Sequence, residues 1–275
     1  MFKINDEMEA TADYEIKSAK ENFGQQIDFL EQIIAKLENL LGKTNQSVLI
    51  SVLQRLRISL RVEGLKTSVL KAYALIVDHL FDIRYGIDTC THSKLTELTI
   101  DSDNKARAKM YWPTRAVALR KLFNVMQPMI PADSVFVDFG CGKGRVLLIA
   151  SEFGFREVRG VEFAHELCEI AKKNYDVYKA KTGFSKECRI IECDATNYAI
   201  NTDENVFFMF DPFDKTILIK VLSNIAASLQ TQRRKILIIY HRPKYDHIIE
   251  QGDDFTRLRE FRFYGLQFGV YSNRE

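Results

Sequence analysis

The run VFVDFGCGKGRVLLIA, residues 135–150, limits what this chain can fold into more than any other stretch. An apolar triplet (Val135, Phe136, Val137) leads to Asp138. Glycines then stand at alternate positions, Gly140, Gly142 and Gly144, and an apolar run of helical character follows. Strand, tight glycine turn and helix in that order open a nucleotide-binding α/β domain. Without a Cβ, a glycine backbone takes positive φ and lets a ligand lie against it. The helix behind the turn offers free N–H groups and a partial positive charge to whatever sits above it. The dinucleotide fingerprint G-x-G-x-x-G does not match, because here the third glycine comes two positions after the second. An acid just before the turn would repel a pyrophosphate and would suit an ammonium group.

Downstream, strands are expected over 156–161, 189–193, 205–210 and 234–240, with helices over 164–181 and 217–229 between them. The closing stretches, 255–263 and 267–272, read as an antiparallel pair joined near Gly265. Alternating strands and helices with a terminal hairpin make an α/β fold: one doubly wound, mostly parallel, Rossmann-like sheet.

The pattern Asp138-Phe-Gly-Cys-Gly-Lys-Gly144 resembles motif I of the class I, seven-stranded S-adenosylmethionine-dependent methyltransferases. The resemblance covers residues 81 to 275, and V-E-F at Glu162, C-D-A at Asp194 and D-P-F at Asp211 follow in order. It implies that the turn (Gly140, Cys141, Gly142, Gly144) wraps the methionine part of S-adenosylmethionine, with Asp138 near its amino group. Glu162, beside Phe163, stands at the tip of the second strand, where ribose hydroxyls need an acceptor that a carboxylate supplies. Asp194, with Ala195, is implied as the adenine contact; a turn cap is the alternative.

After the fourth strand, Asp211-Pro212-Phe213 resembles the Asn/Asp-Pro-Pro-Tyr/Phe motif of amino-group methyltransferases with one proline fewer. It is closer to the Asn-Pro-Phe variant of a bacterial group in the same class. On that resemblance Asp211 orients the acceptor or takes its proton and also borders the cofactor, while Phe213 forms an aromatic wall. That group also carries an aspartate–threonine pair, here Asp88-Thr89, and a tyrosine–x–proline, here Tyr111 and Pro113. The segment is then implied to fold over the cofactor, with Tyr111 and Thr114 contributing to the site. A structural connector is the alternative. His241, after the fifth strand, is a weaker candidate.

A histone-lysine methyltransferase family of the same fold shares a similar glycine turn and an aromatic-bearing strand-four motif. The acceptor itself is left open: a protein lysine, or a small-molecule amine, hydroxyl or carboxylate. Two other readings stand beside methyl transfer. One is a regulatory protein that binds S-adenosylmethionine without turnover. The other is a nicotinamide-dependent oxidoreductase, disfavoured by the glycine spacing.

Residues 1–80 are expected to form a helical region ahead of a catalytic domain over 81–275. Ile27, Leu30, Ile34, Leu37 and Leu41 make one amphipathic stripe, closed by Gly42. Leu49, Val52, Leu53, Leu56 and Leu60 make a second, and a third helix is expected over 64–81. Packing against the catalytic domain is the expected role, with a lid or a homodimer contact as alternatives. Gly42-Lys43-Thr44 is not the end of a P-loop, since Leu37 stands where that loop needs glycine.

The net charge of +2 gives no bulk case for nucleic acid, a nucleosome or a membrane surface. No signal peptide opens the sequence and charges interrupt every apolar segment, so a cytoplasmic protein without membrane spans is expected. The five cysteines are scattered without zinc spacing, which points to reduced thiols and no metal.

Overall fold

A computed structural model describes residues 65–91, 98–99, 111–184, 186–210 and 214–274, with only the backbone of 65–70 and 72. The helices expected before residue 64 and the Asp211-Pro212-Phe213 motif lie outside the described residues. The chain divides into two compact units, 1–73 and 74–275.

The second unit is built on a seven-stranded sheet of order β3-β2-β1-β4-β5-β7-β6. Its strands are β1 (Val135–Phe139), β2 (Glu157–Glu162), β3 (Glu187–Glu192), β4 (Glu204–Phe210), β5 (Leu237–His241), β6 (Phe255–Phe263) and β7 (Leu266–Asn273). β1 to β5 are parallel, and β7 runs antiparallel between β5 and β6. The expected doubly wound α/β fold with its closing hairpin is the one observed. The hairpin turns on Tyr264 and Gly265, both at positive φ (53° and 74°). That geometry matches the twist of the paired strands.

The central strands are apolar on both faces because helices cover both. Phe136, Val206, Phe208, Leu237, Ile239, Phe268 and Val270 point to one core. It is closed by α1 (Leu65–Tyr85, from Ala74 on), α2 (Ala116–Met126), α3 (Arg145–Ala150) and α4 (His165–Thr182). Val137, Phe139, Phe207, Met209, Ile238, Tyr240 and Tyr271 point to the other, under α5 (Lys215–Thr231) and α6 (Asp246–Gln251). Among the described residues no helix is long and apolar enough to cross a membrane.

The chain builds β1, β2 and β3 outward, then returns to place β4 on the other side of β1. Ligands of such sheets bind in the crevice at the carboxyl ends of the strands, where the order reverses. Here that crevice lies between the ends of β1 and β4. At the opposite end of the strands, Arg159 is locked by Glu157 (2.7 Å), Glu204 (2.7 Å) and Asp203 (3.0 Å).

Candidate functional site

β1 delivers the glycine turn to the crevice. Gly140, Gly142 and Gly144 all have positive φ (74°, 53° and 84°), a region that other residues enter only with strain. The amides of Gly140 and Cys141 donate to the carbonyl of Val161 (2.8 and 3.2 Å), which seats the turn against the end of β2. The close approach also requires Gly160. A Cβ there would stand 2.6 Å from both the Cys141 sulfur and Leu147 Cδ1.

Two carboxylates sit under this turn. Asp138 pairs in register with Gly160, so Asp138 and Glu162 project from neighbouring strands onto the same sheet face. Asp138 is buried, and its Oδ2 has no hydrogen-bond partner among the described residues. Burial, reinforced by the charge of Glu162, pushes its carboxyl well above the usual carboxylate range. Glu162 accepts three backbone N–H bonds, each 3.0 Å long: Gly142 at Oε2, and Phe163 and Ala164 at Oε1. Burial nevertheless outweighs these donors and raises its pKa. Glu162 therefore clamps the turn to the β2 tip, and its Oε2, with one protein donor, keeps capacity for another.

Tyr111 lies over the turn. Its hydroxyl donates to the Thr89 carbonyl (2.9 Å), and it packs, as does Phe163, against the cluster of Leu98, Ala164 and Leu167. Burial holds its phenol well above the usual value. Three residues on, Thr114 Oγ1 meets His241 Nδ1 at 3.1 Å. His241 closes β5, stacked between Phe210 (4.1 Å) and Phe268 (4.5 Å), with Nε2 buried and unpartnered. Burial, helped by Arg242 and Arg115, lowers its pKa to about 3, so the imidazole is neutral.

The Asp88-Thr89 pair acts as a latch. Asp88 accepts from Lys143 (2.8 Å) and from Thr91, and Lys143 also reaches the Thr91 hydroxyl. Burial opposes ionisation of Asp88, but these donors keep its pKa below the usual range. Thr89 receives Arg145 Nε at 2.7 Å and itself donates to Asp82 (2.6 Å). Arg145, almost wholly buried at the start of α3, is paired with Asp78 (3.0 Å) and lies 3.7 Å from Asp82.

Lys143, Arg145, Asp78 and Asp82 were not singled out by sequence. The legible signal was Asp78 and Asp82, two acids four apart on the face of an apolar helix, which need a buried cation.

Beyond β3, Asp194 Oδ1 accepts from the Thr196 amide (2.8 Å) and hydroxyl (2.7 Å), the turn-capping geometry. Ala195 beside it is half-buried. The glycine turn, Asp138, Glu162, Phe163, Tyr111, Thr114, Asp194 and Ala195 thus stand at the same end of the sheet. An unpartnered buried carboxylate, beside a turn with no room for a side chain at Gly142, fits a small ligand carrying an ammonium group.

The model of the family "DOT1: Histone methylation protein DOT1" matches residues 109–203. No curated protein matches the chain. Solved structures of similar fold include an RNA methyltransferase from Salinibacter ruber in complex with S-adenosyl-L-homocysteine. It is 17% identical over 60% of this chain and 95% of that one, with a TM-score of 0.45. Magnesium protoporphyrin IX methyltransferase from Synechocystis PCC 6803, with bound SAM, is 12% identical over 58% and 79%, with a TM-score of 0.44. Ribosomal protein L11 methylase from Lactobacillus delbrueckii subsp. bulgaricus is 14% identical over 58% and 79%, with a TM-score of 0.42.

Proposed function

We propose that this protein is a class I S-adenosylmethionine-dependent methyltransferase. The observation that carries the reading is the position of the G-x-G-x-G turn. It lies at the switch point of a 3-2-1-4-5-7-6 sheet, over a buried acid with an unpartnered oxygen. The match of residues 109–203 to a methylation-protein family supports it.

In this reading Gly140, Cys141, Gly142 and Gly144 hold the methionine part of the cofactor under Tyr111 and Thr114, and Asp138 takes its ammonium. The remaining capacity of Glu162 serves the ribose, and Phe163, Asp194 and Ala195 border the adenine. The bound cofactor supplies a sulfonium-activated methyl group. The protein's own task is to position the acceptor in line with it and to exclude water. Asp211, Pro212 and Phe213 follow the last residue of β4 directly, and their assignment to the acceptor side comes from the sequence.

The acceptor is a protein lysine or a small-molecule amine, hydroxyl or carboxylate. The match to a histone methylation family makes a protein acceptor the first to try.

Calorimetric titration with S-adenosylmethionine, S-adenosylhomocysteine and NADH tests the assignment. Micromolar binding of both adenosyl ligands, about −8 kcal/mol, weakened by Asp138→Ala and by Glu162→Ala, is expected. Binding of NADH alone would instead favour an oxidoreductase.

A further inference from the structure

The acid pair under the glycine turn poses an electrostatic problem within the described residues. Asp138 and Glu162 share a sheet face and a dry environment, and the charge of Glu162 adds to the cost of ionising Asp138. Glu162 has three amide donors, whereas Asp138 keeps an orphaned oxygen.

The cations nearest in sequence are engaged elsewhere. Lys143 is held by Asp88 and Thr91, and Arg145 by Asp78 and Thr89. Among the described residues two thiols also face the pair, and the Tyr111 phenol over the turn is turned to the Thr89 carbonyl. Cys141 in the turn and Cys168 on α4, which donates to the Glu162 carbonyl, are both pushed up by burial and stay protonated. On the β4 side the register partner of Asp138 is Phe208, which is apolar.

A carboxyl so placed carries a proton until a cation arrives. We propose that Asp138 is protonated in the free protein and gives up that proton when the α-ammonium group of the cofactor docks against it, so that cofactor binding releases a proton to solvent. This rests on the reading of the crevice as an S-adenosylmethionine site. The charges balance: a neutral carboxyl and an ammonium become a carboxylate–ammonium pair, with one proton passed to buffer. The consequence is a cofactor affinity that falls as the medium acidifies.

The test is calorimetry of S-adenosylhomocysteine binding at one pH in buffers of small and large ionisation enthalpy. 5′-Methylthioadenosine, which lacks the amino-acid part, serves as the control ligand. A buffer-dependent enthalpy is expected, approaching one proton released for S-adenosylhomocysteine and none for methylthioadenosine. Affinity should rise with pH by up to about tenfold per unit below the titration of the ligand's own amine. Asp138→Asn should abolish the release and flatten that dependence. If that variant does not fold, the two-ligand comparison on the unaltered protein decides.

Equal enthalpies in all buffers, or equal release with methylthioadenosine, would overturn the proposal while leaving the cofactor assignment standing. So would release that survives in Asp138→Asn and vanishes in Glu162→Gln. Absence of any S-adenosylhomocysteine binding would overturn both.

Discussion

Tyr111 closes position 142 to every residue but glycine: a Cβ on Gly142 would stand 2.3 Å from Cε2 and 2.4 Å from Cδ2 of the tyrosine ring. The left-handed φ of 53° at Gly142 adds a second penalty. Gly142→Ala is expected to lift Tyr111 off the turn and to destabilise the fold by about 1–3 kcal/mol. S-adenosylhomocysteine affinity should fall in step. Tyr111→Phe keeps the ring in place and loses only the bond to the Thr89 carbonyl, worth about 1 kcal/mol. Urea unfolding and calorimetry on both variants check this. Wild-type binding by Gly142→Ala would mean that the ring does not rest on the turn.

Arg145 is a counter-charge for two buried acids of α1: it shares Asp78 with Arg115 and lies near Asp82. Arg145→Met removes a partner from both and should cost about 1–3 kcal/mol, because Asp78 keeps Arg115 (2.9 Å) and the Ala116 amide (2.8 Å). Asp78→Asn alone should cost less, because Arg145 keeps Thr89 and Asp82 nearby. A double-mutant cycle followed by chemical denaturation measures the coupling, and additive effects would contradict the pairing.

His241 should make the protein acid-sensitive well above the carboxylate range. Burial lowers its folded-state pKa to about 3, while the unfolded chain binds the proton near about 6.5. As pH falls below the unfolded value, only the unfolded state gains that proton, and stability drops by up to about 1.4 kcal/mol per unit. Half-buried His79, also lowered by burial, acts in the same direction. His241→Phe, which keeps the aromatic stack, should therefore reduce this slope without removing it. Urea midpoints between mildly acidic and neutral pH report the difference.

A second acid transition belongs to the other end of the sheet. Hydrogen bonds from Arg159 hold Glu157 below its usual pKa; at Asp203 burial opposes ionisation, but the hydrogen bonds and charge of Arg159, with the charge of Arg156, together hold the carboxyl low. Stability from these groups is present above their unfolded pKa values and is lost as pH falls through the lower folded ones. Glu157→Gln should flatten the stability profile below about pH 4. It should leave the His241-dependent slope and cofactor binding unchanged.

The glycine turn, the parallel strands and the closing hairpin were legible because each has a local signature: alternate glycines, short apolar runs, a tyrosine–glycine turn. Observed strand limits differ from expectation by a few residues. β5, for instance, begins at Leu237 and takes in His241, since the pairing partner rather than local composition decides where a strand starts. The acids at the strand tips were legible as positions. What Glu162 binds was not, since three amide donors converge on it only once the turn has folded. Arg145 and Lys143 stayed hidden for the same reason: their partners, Asp78, Asp82, Asp88 and Thr91, lie more than fifty residues away in sequence. The short helix α6 has no strong apolar period to announce it.

The place of β7 bears on how the molecule is made. It slots between β5 and β6, and its residues Phe268, Val270 and Tyr271 are wholly enclosed. Asn273 also caps the entry to β5 by accepting from the Ile236 amide at 2.8 Å. A nascent chain emerging from the ribosome can therefore lay down β1 to β5, but until residue 273 has been synthesised β5 has an open apolar edge and β6 no neighbour. During synthesis that edge is the surface most exposed to mispairing. Removing Leu266–Asn273 would take out an interior strand of the sheet.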